Sequence, residues 1–82
     1  MHPQLNLSYQ TIENIIYYLE ELKGHTPQIQ AYKYSYPYPK PPVHSILYTF
    51  NGTFYTHNLD AVTFARIKKG YFKLALNSTI AK

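Results

Sequence analysis

From Ser8 onward, apolar residues recur at Ile12, Ile15, Ile16, Leu19 and Leu22, the spacing that gathers them on one side of a helix. Ser8 suits the N-cap and Gly24 the stop, and Glu13, Tyr17, Glu20 and Glu21 fall on the opposite face. Leu5 and Leu7 ahead of it form a short strand or a hydrophobic staple. After His25 the helical period ends, and alternation replaces it. Asn51-Gly52 sits between two alternating runs, which predicts a two-residue type I′ hairpin. Counting outward pairs Phe50 with Thr53, Tyr48 with Tyr55 and Ile46 with His57, and these six residues share the core face. Leu47, Thr49, Phe54 and Thr56 take the other. Asn58 or Asp60 caps a second helix carrying Ala61, Phe64 and Ile67, with Gly70 at its end. Phe72, Leu74 and Leu76 alternate and read as a last strand. The predicted order is α–β–β–β–α–β: an α+β fold, one domain over residues 1–82, with two helices on one face of a mostly antiparallel sheet.

The segment between first helix and hairpin has an unusual pattern. Tyr32, Tyr34, Tyr36 and Tyr38 occupy every second position and run into Pro37, Pro39, Pro41 and Pro42. Residues before proline avoid helical geometry. In polyproline II, with three residues per turn, the rings would rotate about the axis; in a strand they would form a one-sided ribbon. The pattern favours a strand over 29–36 that passes into polyproline II by Pro42. The prolines leave it one pairing edge, so it is an edge strand. Its opposite face, Ile29, Ala31, Lys33 and Ser35, starts apolar and turns polar, so neither face makes a clean core side.

Composition narrows the function classes. In 82 residues there are 10 tyrosines, no cysteine and only 15% charged residues. A disulfide framework and a zinc thiolate site are therefore excluded. No basic-then-apolar leader and no long apolar run is present, so the expectation is a cytoplasmic protein, in the host cytoplasm for a viral gene, without membrane partners. The Asn-x-Ser/Thr triplets at Asn6, Asn51 and Asn77 then read as coincidence.

Catalytic and metal chemistry find little support. His2, His25, His44 and His57 lack paired ligand spacing, Ser45 beside His44 lies in no nucleophile elbow, and three glycines provide no phosphate-cradling loop. His57 and Asp60 could pair, although a helix cap explains Asp60 more simply. The expectation is a non-enzyme without cofactors. Pro39-Lys40-Pro41-Pro42 matches a loose P-x-x-P pattern, which domain junctions also produce.

The formal net charge is +4, a bias toward acidic partners. Glu13, Glu20 and Glu21 precede Gly24, whereas Arg66, Lys68, Lys69 and Lys73 gather late. That basic cluster either matches a helix C-terminus or forms a patch for phosphates or an acidic protein surface, extended by Lys33 and Lys40. Two function classes result. The first is a protein-binding module, a regulator or inhibitor of the kind compact mobile-element or phage genes encode, with Tyr32, Tyr34, Tyr36, Tyr38, Lys33 and Lys40 at its interface. The alternative is a single-stranded nucleic-acid binder that stacks bases on tyrosines and tracks phosphates with the basic cluster. The tyrosine strand could also pair with its own copy.

Overall fold

The computed structural model describes residues 7–80, with side chains through residue 76. His2, Leu5, Asn6 and the side chain of Asn77 lie outside the described residues. The order is α1 (Tyr9–Lys23), β1 (Gln28–Ser35), β2 (Val43–Phe50), β3 (Thr53–Asp60), α2 (Ala61–Lys68) and α3 (Phe72–Ile80). The class is α+β, around an antiparallel sheet of order β1-β2-β3.

Local chemistry sets most boundaries. The Ser8 hydroxyl accepts a hydrogen bond from Thr11 N at 3.1 Å, which satisfies one orphan amide of α1. Gly24 ends the helix at φ 83°, with its N–H donating to Glu20 O at 2.9 Å; a side chain would be strained there. Asn51 and Gly52 both have positive φ, 54° and 80°, as a type I′ turn requires. The hairpin pairs Phe50 with Thr53, Tyr48 with Tyr55 and Ile46 with His57, the register that the turn implies. Asp60 is the cap of α2, its Oδ1 accepting from Thr63 N at 2.8 Å.

The core joins Ile15, Tyr18 and Leu19 of α1 to Ile46 and Tyr48 of β2, Leu59 of β3, Phe64 and Ile67 of α2 and Ala75 of α3. Thr11, Asn14 and Thr63 are buried polar residues, and Asn14 bridges two helices. The Asn14 side chain donates to Ile67 O at 3.0 Å and to Lys68 O at 3.5 Å while its Oδ1 accepts from Gln10. Ile67 O also accepts from Gly70 N at 3.0 Å, so the Asn14 amide adds to the hydrogen bonding at the end of α2, and a side chain of α1 ties the two helices together.

Two expectations are corrected. Phe72, Leu74 and Leu76 belong to a helix, not a strand, so three helices are present among the described residues rather than two. Five residues fit either period, and packing decides: Phe72, Ala75 and Leu76 turn toward the core, whereas Leu74 is exposed. Three residues apart and four apart is helical spacing. The second correction concerns β1, which ends at Ser35 and not at Tyr36. The chain then enters a tight turn containing a cis Tyr38–Pro39 bond.

A β-bulge resolves the mixed faces of β1. Its register with β2 shifts between Ile29 and Ala31, leaving Gln30 as the extra residue. One inserted residue reverses the alternation, so Ile29 joins Tyr32 and Tyr34 on the helix side, opposite Tyr48, Ile46 and His44. Ala31, Lys33 and Ser35 face the other way. Gln30 donates to the Thr49 hydroxyl, which in turn donates to Gln28, so side-chain hydrogen bonds brace the bulge.

Candidate binding surface

β3 runs into α2 with no intervening loop, because Asp60 is at once the last strand residue and the helix cap. The first turn of α2 is therefore held at the end of the sheet where His44 pairs with Leu59. Phe64 then lies flat over His44, with ring centroids 4.1 Å apart and planes 6° from parallel. Tyr32, diagonal to His44 across the β1–β2 ladder, is also stacked under Phe64, at 5.4 Å and 12°. The Tyr32 hydroxyl and His44 Nδ1 are 2.7 Å apart. Tyr32 and His44 thus form one hydrogen-bonded plane beneath a single phenylalanine lid.

Electrostatics follow from that packing. Burial lowers the His44 pKa; the Lys68 charge lowers it further and Asp60 opposes. Burial raises the Tyr32 phenol, with a contribution from Tyr34. Lys68 reaches over the Phe64 ring at 5.8 Å, one helical turn along from it, a weak cation–π contact. The layer is partly dry.

Of the exposed tyrosines, Tyr34 stands on its rim and Tyr36 and Tyr38 follow beyond the strand. Tyr34 leans on His44 at 5.1 Å and 54°, and Tyr36 meets Tyr38 edge to face at 6.1 Å. Their exposures rise from 53% at Tyr34 to 59% at Tyr36 and 81% at Tyr38. The one-sided ribbon of four does not form. Tyr32 is turned inward and half buried, Tyr34 shares its face, and Tyr36 and Tyr38 project from the turn beyond the strand. Three consecutive alternate tyrosines remain as an exposed aromatic patch.

The basic residues disperse. Arg66 and Lys68 occupy the last turn of α2 and Lys69 is its C-cap, where cations oppose the helix dipole. The Arg66 guanidinium also donates to Leu74 O at 3.4 Å, tying α2 to α3. Lys73 lies beside a shallow groove between α1 and α3 together with Tyr17, Glu21 and Tyr71. Lys33 is on the sheet face away from the tyrosines, and Lys40 is exposed in the turn after them. Lys68 is held against an aromatic ring, that of Phe64.

His44 and Phe64 are the two members of the layer that sequence reasoning left out of the site. Phe64 was legible as a core position of α2; its place above His44 depends on the direct β3–α2 junction. The pairing of Tyr32 with His44 requires the β1–β2 register, which crosses seven residues rich in proline. Among the described residues, no helix is long and apolar enough to cross a membrane. Comparison with protein families, curated proteins and solved structures found no match.

Proposed function

We propose that the chain is a small non-catalytic protein-binding module, a cytoplasmic regulator or inhibitor of the kind that mobile-element or phage genes encode, and that Tyr34, Tyr36 and Tyr38 anchor its partner. The carrying observation is their exposure: three large rings, each more than half exposed, stand within five residues, the first of them on the rim of a stacked, hydrogen-bonded layer. Tyrosine supplies wide apolar contact and a polar tip at low conformational cost, which is why it is enriched at interfaces. The contact of Tyr34 with His44 restricts its ring before binding, which limits the entropy lost there. Lys40 adds a cation at the rim and suits an acidic partner surface.

The test compares tagged wild-type chain with a Tyr34→Ala/Tyr36→Ala/Tyr38→Ala variant as bait in extracts of the source cells, with circular dichroism confirming that both are folded. Loss of a specific captured protein is expected; undiminished capture by the folded variant refutes the reading. A labelled single strand provides the contrary arm. Binding that falls by about three orders of magnitude between roughly 50 and 200 mM salt and needs the same tyrosines would transfer the assignment to single-stranded nucleic acid.

A further inference from the structure

Among the described residues the sheet ends in two strands with one partner each, β1 and β3, and these edges differ in kind. β1 carries the bulge between Ile29 and Ala31, a lysine at Lys33 and a proline two residues past its end. Bulges, edge lysines and prolines are the devices that discourage a strand from pairing with another chain. β3 has none of them. From Thr53 to Leu59 it holds no charged residue and no proline, its register with β2 is unbroken over eight pairs, and Thr53 to Thr56 are exposed, Phe54 at 66%. An unbroken, uncharged edge of this length is a ready template for another strand.

Its backbone has a readable polarity. A two-residue hairpin closes on a hydrogen-bonded pair, here Phe50 and Thr53, and bonded and non-bonded pairs alternate from there. Thr53, Tyr55, His57 and Leu59 therefore direct their N–H and C=O groups to β2. Phe54, Thr56 and Asn58 direct theirs outward, away from the sheet.

We propose that β3 is a self-association edge, pairing antiparallel with β3 of a second copy about a two-fold axis at Thr56 to form a continuous six-stranded sheet. Self-complementarity selects the second copy as occupant. A two-fold axis perpendicular to the sheet preserves its faces, so opposed residues must point to the same side and the axis passes through a residue rather than between two. Thr56 is the middle one of the three outward-facing residues, so an axis there engages all three in both copies. Thr56 then opposes Thr56, and Phe54 opposes Asn58 on both sides, giving roughly six interchain hydrogen bonds. On the helix side Tyr55 meets His57 and Thr53 meets Leu59, all uncharged pairs, since burial lowers the His57 pKa. None of the eight lysines and arginines of the chain lies on β3, and Asp60 would oppose Gly52. The two positively charged molecules thus meet along the strand that brings no cation to the seam. The same operation at β1 would juxtapose two bulged strands that each carry Lys33.

A seam one strand wide falls at the small end of specific interfaces, below about 1,200 Å², so association is weak. Sedimentation velocity of the full chain from about 10 μM to about 1 mM spans the range in which such an interface fills. The expected result is a monomer–dimer equilibrium, with amide exchange at Phe54, Thr56 and Asn58 slowed about tenfold at high concentration and Tyr32 and Tyr34 unaffected. Thr56→Lys sets like charges face to face at the axis and should weaken the dimer about fivefold. Thr56→Pro removes an N–H that β2 does not use and should abolish it. A chain that stays monomeric throughout, protection gained along β1 instead, or undiminished dimerisation of a folded Thr56→Lys variant would overturn the proposal. The tyrosine anchors are tested separately: the Tyr34→Ala/Tyr36→Ala/Tyr38→Ala variant should lose its captured protein and still dimerise.

Discussion

Two histidines stack on two phenylalanines at different places in this fold, and their surroundings differ. His44 lies 4.1 Å beneath Phe64, with its Nδ1 2.7 Å from the Tyr32 hydroxyl. His25 lies 3.7 Å from Phe50, 13° from parallel, yet its Nδ1 is buried with no hydrogen-bond partner among the described residues. Ring contact is close in both. Polar satisfaction differs, and an unmatched buried polar atom costs about 1–3 kcal/mol where a net hydrogen bond contributes about 1. Phe64 is itself in the core at 5% exposure, whereas Phe50 stands at 36% beside the hairpin turn. The first stack is part of the fold; the second decorates it. A binding surface needs the former, and the exposed tyrosines stand beside that one.

The comparison breaks most readily at the lids. Phe64→Ala empties a core position and removes the cover over both Tyr32 and His44, so chemical denaturation should show a loss of about 3–5 kcal/mol. Phe50→Ala removes a ring that is already partly wet and should cost about 1 kcal/mol. Equal losses would mean that the two stacks are energetically alike. Next in size is the hydrogen bond: Tyr32→Phe keeps the ring and removes the hydroxyl, and a loss of about 1 kcal/mol is expected in the same assay. His25→Phe keeps the stack and deletes an atom with no partner, so stability should hold or rise by up to about 1 kcal/mol. A clear loss there would show that His25 is satisfied in solution.

The smallest effect is a slope. Burial is the leading cause that lowers the pKa of both His44 and His57, with Lys68 and Lys23 adding to it. The unfolded chain takes up these protons near pH 6.5, before the folded one does. Stability from these groups is therefore complete above that pH and is lost as pH falls through the lower folded values. Melting temperatures should drop between about pH 7.5 and 5. His44→Phe should flatten the drop without removing it, because His57 still titrates; an unchanged slope would take His44 out of the account.

Where the chain's own chemistry is local, it could be read in advance. Ser8 and Gly24 bound α1, Asn51-Gly52 sets the hairpin register, and Asp60 caps α2 because each acts on backbone within four residues of itself. The tyrosine segment was legible as an edge strand but not as a surface. Its faces depend on a bulge at Gln30, and a bulge is favoured by what lies across the ladder: here Ile29 gains a place against the core while Gln28 and Gln30 bond Thr49. Alternation alone counts straight past it. Phe72, Leu74 and Leu76 failed for a related reason, since three alternating apolar residues fit two periods and α1 and α2 provided the surface that chose the helix.

The sequence by itself determined the caps, the turn, the hairpin pairing and the α+β class, because these rest on φ preferences, short-range hydrogen bonds and apolar periodicity. Tertiary structure alone decided which tyrosine is structural and which are presented, which histidine is satisfied, and which sheet edge is bare. Those outcomes turn on contacts between residues twelve or more apart, Tyr32 with His44 and Tyr32 with Phe64 among them. The free energy of such contacts comes from burial and matched polar groups, which exist only once the chain has closed on itself.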